Sequence, residues 1–201
     1  MKKNIIKKLN KVFRQVKHYL KKMFAKLINI QFMKPNYLYV DNLNENSIII
    51  DAGCGDNPEL SLGLIKKYNL TSYGVDPTKK HAKILKKLSL KTNNKFKYFP
   101  CAITAKDGKI IFNESKENVS GSIFKEHINI KNDRTVFYSV KSLSLKELFK
   151  TLSLNSIDLL KLDLEGAEFD LLKTTDLDTL KKIKQMFVEF HHHCVDKYSN
   201  T

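Results

Sequence analysis

Residues 48–60 read I-I-I-D-A-G-C-G-D-N-P-E-L, and this stretch decides the fold. A short apolar run stops at Asp51. Gly53 and Gly55 follow one residue apart, then Asn57 as a natural N-cap and Pro58 for the first helical turn. The pattern predicts a buried strand, a tight turn and a helix N-terminus. Glycine lets the backbone turn left-handed and approach closely, so such a turn lies against a small polar ligand. A second stretch, residues 157–172 (I-D-L-L-K-L-D-L-E-G-A-E-F-D-L-L), ends another apolar strand in a carboxylate cluster. Both are expected at the carboxyl edge of one sheet, where open α/β folds bind ligands.

Working outward, strand and helix patterns alternate. Strands are predicted at 47–51, 72–76, 95–103, 109–113 (after the Asp107-Gly108 turn), 135–140, 157–163 and 185–190. Helices are predicted at 59–68, 79–88 and 167–173. A further helix starts from the capping box Ser144-Leu-Lys-Glu147 and runs to about Leu152. Residues 118–132 read as a loop with a helical turn. Strands separated by helices of about ten residues imply right-handed β-α-β units. The fold class is therefore α/β, a doubly wound, mainly parallel, Rossmann-like sheet.

The chain has 201 residues and a net charge of +15. The charge suggests nucleic acid, but its distribution argues against that partner. Residues 1–40 hold 11 of the 36 basic residues and no acid; the other 25 basic residues face 21 acids, a surplus of four. The excess belongs to an amphipathic helix predicted over residues 2–30, in which Ile5, Leu9, Val12, Val16, Leu20, Met23 and Leu27 form a stripe flanked by lysines. That stripe packs on the domain or on a second copy, or lies on an anionic membrane surface. The expected organisation is a basic helix at 1–33, a linker at 34–46 and a domain at 47–201. No run reaches the ~20 apolar residues of a membrane span. No secretory signal is expected. Cys54, Cys101 and Cys194 read as reduced thiols, and the expected location is cytoplasmic.

At the first turn, Gly53 and Gly55 fill two places of G-x-G-x-x-G, but Pro58 stands at the third, which argues against dinucleotide geometry. There is no G-K-[ST] phosphate loop. D-x-G-x-G suits a ligand with an amino-acid moiety and a ribose. Asp76, ending the next strand, can accept both ribose hydroxyls, with capping ahead of Pro77 as its plainer role. S-adenosylmethionine has both parts.

Later motifs carry a family resemblance. They are F-P-C-A-I-T-A-K-D-G-K-I-I-F (99–112), S-G-S-I (120–123), S-L-S-L-K-E-L (142–148), I-D-L-L-K-L-D-L-E-G-A-E (157–168) and V-E-F-H (188–191). This order resembles the FkbM-like family of S-adenosylmethionine-dependent methyltransferases, over about residues 47–193. The resemblance implies a class I methyltransferase sheet and methyl transfer to a hydroxyl of a small or glycan-type acceptor. Asp51, Gly53 and Gly55 would line the methionine end, with Cys54 and Asn57 beside them. Asp76 and Pro77 would hold the ribose, Cys101, Ala102 and Ile103 would flank the adenine, and Asp163 would sit near the sulfonium. Glu165 and Glu168, with Glu189 and His191, would face the acceptor.

A hydroxyl acceptor also needs a proton acceptor. His191 suits that role by its reference pKa near neutrality, with Asp163 and Glu168 as runners-up. The plainer reading of Glu165 and Glu168 is two acids at a helix start, and that of His191 a polar residue at a strand end. Asp163, Glu165, Glu189 and the run His191–His193 offer metal-ligand chemistry, but adjacent strand residues point to opposite faces, so no metal site is assigned. Ser120 and Ser122 bond substrate or nearby backbone groups. Class I methyltransferases end in two further strands that are missing here; segments 109–113 and 135–140 are candidates to complete the sheet. The rival function is a catalytically degenerate module that keeps the fold and binds a membrane or partner through its basic helix.

Overall fold

The computed structural model describes residues 29–195, which fall into two units that divide after Asn42. In the first, β1 (Ile30–Met33) and β2 (Tyr37–Val40) form an antiparallel hairpin, with Ile30 opposite Val40 and Phe32 opposite Leu38. The sequence pointed to the end of a helix and a linker here. Tyr37–Val40 is a run of aromatic and branched side chains that favours a strand, and Pro35-Asn36 supplies the turn. Residues 2–28 of the amphipathic helix predicted over 2–30, with its apolar stripe and flanking lysines, lie outside the described residues.

The second unit runs β3 (Ile48–Ala52), α1 (Glu59–Tyr68), β4 (Thr71–Val75), a 3₁₀ turn (Lys79–His81), α2 (Ala82–Lys91) and β5 (Phe96–Phe99). It continues through β6 (Ala102–Ile103), β7 (Gly108–Ser115), β8 (Gly121–Ser122), β9 (Thr135–Leu143) and α3 (Leu145–Thr151). It closes with β10 (Leu159–Leu162), α4 (Glu168–Thr174), α5 (Leu177–Leu180), β11 (Met186–Val188) and a 3₁₀ turn (His192–Cys194).

Five strands form an all-parallel sheet in the order β11-β10-β3-β4-β5. The chain winds outward from β3 to β5, then returns to β10 on the other side. That reversal between β3 and β10 is a topological switch point, where loops diverge and leave a crevice. Central strands covered on both faces need apolar side chains on both faces. Ile49 and Ile50 of β3 and Leu160 and Leu162 of β10 are fully buried. On one face Ile50 and Leu160 pack with Leu145, Leu148 and Leu171 from α3 and α4. On the other, Phe96 packs with Leu85 of α2 and Ile65 of α1.

Several local expectations are corrected. The strand predicted over 95–103 is two strands in two sheets. It breaks at Pro100, which has no N–H for a ladder, and Ala102–Ile103 pairs with β9. Segments 109–113 and 135–140 do not complete the parallel sheet. They lengthen into β7 and β9, which pair antiparallel from Gly108↔Ser142 to Ser115↔Thr135 in a separate four-stranded sheet, β6-β9-β7-β8. Asn57 does not cap α1. Pro58 holds the N-cap position without a side-chain bond, and the Asn57 amide donates to Glu59 instead. Ser144 does cap α3, accepting the Glu147 N–H. The short α5, capped by Asp176, was not foreseen. Among the described residues no helix is long and apolar enough to cross a membrane.

Truncating a fully buried leucine removes its transfer free energy and leaves a cavity. Leu160→Ala in the sheet centre should therefore cost about 2–5 kcal/mol, against ~1 kcal/mol for Ser144→Ala at the α3 cap. Urea unfolding of the two variants checks the order.

Candidate active site

The β3–β10 register sets Lys161 directly opposite Asp51. The lysine side chain is 4 % exposed. Its Nζ donates to the Gly53 carbonyl at 2.9 Å and lies 3.4 Å from Asp51 Oδ1 and 3.1 Å from Asp163 Oδ2. A buried ammonium is tolerated only when it is paired and hydrogen-bonded. Here it ties both acid-tipped strands and the glycine turn together. Asp51 Oδ2 accepts the Ser61 hydroxyl at 2.7 Å, and Ser61 in turn accepts that of Ser72 at 2.8 Å. Oδ1 makes no hydrogen bond and has only the ammonium's charge beside it. Asp51 is therefore a buried counter-ion below the turn, outside the lining of the hollow. Its expected place at a ligand's amino-acid end is corrected.

Gly53 has φ +73°, and a Cβ there would lie 1.7 Å from the Asp163 carbonyl oxygen. The position is closed to any side chain, because the two strand ends touch. Gly55, also left-handed at φ +63°, faces open space.

Above this contact is a hollow of about 200 Å³. One end is built by Asp76, Pro77, Thr78 and His81, and the middle by Cys101, Ala102, Ile103 and Phe112. The other end carries Asp163 and Glu165, and Val119, Ser120 and Gly121 form a wall. Cys54 and Asn57 are not on the lining. The Cys54 thiol is buried, and burial together with the Asp51 and Asp76 carboxylates pushes it well above its ordinary pKa. Cys101 is pushed up to about 12 by burial, against a small opposite pull from Lys141. Neither thiol is a nucleophile at neutral pH.

Asp76 accepts the Gly55 N–H at 2.9 Å and the Thr78 N–H at 2.8 Å. These bonds orient the carboxylate across the glycine turn and leave lone pairs for hydroxyl donors. His81, which sequence reasoning missed, is 3 % exposed and lines the same end. Its Nδ1 stands 3.4 Å from Asp76 Oδ1 without hydrogen-bond geometry, and neither ring nitrogen has a hydrogen-bond partner. Buried polar atoms are rarely left so. The one sequence signal was a lone imidazole five residues after the strand-ending acid. The neighbouring Lys80 reaches across to the carbonyls of Ser115 and Asn118, anchoring the wall loop.

At the acid end the predicted residues separate by role. Glu168 is 1 % exposed and off the lining. It accepts the N–H of Leu164 at 2.7 Å and of Gly166 at 3.2 Å, and it meets His191 Nδ1 at 3.2 Å. Burial pushes its carboxyl up, but the His191 and backbone hydrogen bonds outweigh that and hold it below the usual range. The same contact with Glu168 raises His191 to about 9, with the nearby Glu165 and Asp163 charges adding and burial opposing. The contact therefore favours the protonated imidazole. That does not favour the expected role of His191 as general base, nor, with Glu168 off the lining, that of Glu168; the pair braces the 163–168 loop. Glu189 is half-exposed, its Oε1 3.8 Å from His191 Nε2. His192 and His193 lie in a 3₁₀ turn, so strand alternation does not apply to them.

Glu165 reaches the lining beside Asp163. Its backbone is left-handed at φ +51°, a conformation that costs a non-glycine residue free energy and recurs at functional sites. Ser122 donates to its carbonyl at 2.7 Å, and the Asn129 amide donates to its carboxylate at 3.2 Å. Burial, reinforced by Asp163, raises its carboxyl above the usual range despite His191 and Asn129. Behind it, the fully buried His127 is lowered to about 4, chiefly by burial and then by His191.

The family model for the FkbM methyltransferase domain matches residues 24–197. The chain belongs to the FkbM methyltransferase family. It is a methyltransferase by family, with the switch-point hollow as its candidate active site. No curated protein and no solved structure gives a significant match.

Removing Lys161 would strand two carboxylates, and breaking a buried pair typically costs 3–5 kcal/mol. Lys161→Met should destabilise the methyltransferase by about that amount in urea unfolding; a loss below about 1 kcal/mol would mean the lysine does not hold the strand ends. A second expectation concerns pH. The folded pKa of His191 lies above its ordinary 6.5, so its contribution is fully present below about 6.5 and is lost as pH rises through about 9. The gap in melting temperature between wild type and Glu168→Gln should narrow across that window.

Proposed function

We propose that this methyltransferase moves a methyl group from S-adenosylmethionine to a hydroxyl of a small or glycan-type acceptor. The observation that carries the reading is His81, a buried imidazole with two unsatisfied nitrogens, set beside Asp76 on the hollow's lining. A vicinal diol supplies what that pair lacks, since its hydroxyls donate to the carboxylate and pair with the ring nitrogens. The fit extends along the hollow. Ala102 and Ile103 offer apolar flanks to an adenine, and the Gly53–Gly55 turn admits a polar moiety without a side chain in the way. When bound, the donor would supply a methyl already activated on a sulfonium.

The chain's residues then have three tasks. The first is alignment: Asp163, fixed by Lys161 at 3.1 Å, faces the same hollow as Asp76 and sets where the acceptor stands. The second is proton removal: Glu165, on the lining and with a raised pKa, takes the acceptor's hydroxyl proton on its carboxylate. The third is water exclusion, for which Phe112, Val119 and Ile123 give the wall an apolar surface. His191 and Glu168 keep the acid-bearing loop in place. The free, buried cysteines support a reducing compartment.

Calorimetry with S-adenosylmethionine tests the donor. Micromolar binding is expected. Losing a hydrogen bond to a charged group is worth about 1.5–3 kcal/mol, so Asp76→Ala should weaken it by about 10–100-fold and His81→Phe by about tenfold. No binding by the wild-type chain would end the reading. Methyl transfer to a panel of hydroxylated acceptors tests the second half. Glu165→Gln should lower kcat by about 10²-fold or more with donor binding unchanged, and His191→Asn should cost less.

A further inference from the structure

Glu165 and His191 have a joint feature that alkylation does not require. Asp163, Glu165 and His191 each offer an oxygen or nitrogen ligand atom, and these atoms all lie within 4.8 Å of one another. They come from two adjacent strand ends, the β10 loop and the residues after β11. Each is held from behind: Asp163 by Lys161, Glu165 by the Asn129 amide, His191 by Glu168. Ligands fixed by outer hydrogen bonds are the usual build of a protein metal site.

The charge points the same way. Around the His191 ring stand Asp163, Glu168 and Glu189, at 3.8, 3.2 and 3.8 Å, and Glu165 adds a fourth acid. Lys161 offsets only the end at Asp163.

An independent sign lies in His127. The ring is fully buried, and its Nε2 stands 3.1 Å from Glu165 Oε2 but outside hydrogen-bond geometry, so it has no partner. Its Nδ1 accepts the Asn129 N–H at 3.3 Å, which leaves Nε2 as the protonated, donating nitrogen. A donor without an aligned acceptor beside the Glu165 carboxylate calls for one more oxygen, such as a water or hydroxyl held by a cation.

We propose that Asp163, Glu165 and His191 form a divalent-cation site at the acid end of the hollow, taking a metal of the manganese or magnesium class, with positions left for water or for an acceptor hydroxyl. Two carboxylates and one imidazole, which gives up its proton as a cation binds, make a mixed oxygen and nitrogen donor set suited to Mn²⁺. Neighbouring ligands around such an ion stand roughly 3.0 Å apart and opposed ones about 4.2 Å at bonds of about 2.1 Å, so the three side chains would close in on an ion as it binds. Asp163 and Glu165 also line the hollow, so the ion would stand where an acceptor approaches. That placement rests on the function proposed above; the ion site itself does not.

The test is electron paramagnetic resonance titration of the full chain with Mn²⁺, without any methyl donor. One ion per chain is expected, with an affinity tighter than about 1 mM. Glu165→Gln and His191→Asn should each weaken binding by about tenfold or more, and Glu189→Gln should leave it within about twofold. Circular dichroism melts identify a variant that has not folded, and the wild-type stoichiometry alone then decides. No saturable binding by the wild-type chain overturns the proposal, as does binding unaffected by both ligand substitutions. Mn²⁺ binding without S-adenosylmethionine binding would leave the site standing and remove the donor reading; the reverse would remove the site alone.

Discussion

The structure depends on one buried ammonium. Lys161 stands on an inner strand of a parallel sheet, where a charge is costly, and only its partners make it tolerable. The Gly53 carbonyl and the two carboxylates surround it, and each belongs to a segment that the site needs in place. The lysine is thus a knot at the switch point. It fixes how far apart the ends of β3 and β10 stand, and it keeps the turn close enough that Gly53 admits no side chain. Two acids and one base also leave that region net negative, so the field over the strand ends favours positive charge: a sulfonium, a cation, or both.

The layers of the fold were largely legible because they rest on local rules. The residues of α1 coincide with the periodic stretch that predicted it, and Ser144 caps α3 as its spacing indicated. The parallel order followed from β-α-β alternation. Failures came where distant partners decide. Residues 95–103 read as one apolar strand, yet the chain crosses from one sheet to the other at Pro100, because β9 offers Ala102 and Ile103 a ladder that sequence cannot see. The hairpin at residues 30–40 was hidden by helical periodicity upstream of it.

At the site, positions of carboxylates were legible and their jobs were not. Asp76 and Asp163 both line the hollow. Asp51 does not, because the side-chain period of two places it opposite Lys161 and beneath the turn. His191 drew attention by its reference pKa, but its environment reverses that value's meaning: Glu168 holds the proton on it. The Glu165 carboxyl is raised by burial, a property of the folded surroundings that no spacing encodes. His81 was passed over because a histidine among lysines resembles a solvated helix start, and only its burial makes it informative.

The lysine next to His81 grips the wall loop through two main-chain carbonyls, those of Ser115 and Asn118, and ignores the side chains between them. A strap of that kind tolerates rewriting. Val119 and Ser120 can exchange their side chains, and so reshape the rim that an incoming molecule meets, while the fastening at the opposite end stays intact. Selectivity for what enters and retention of what is already held are thereby separable, and new rims can be tried without rebuilding the seat.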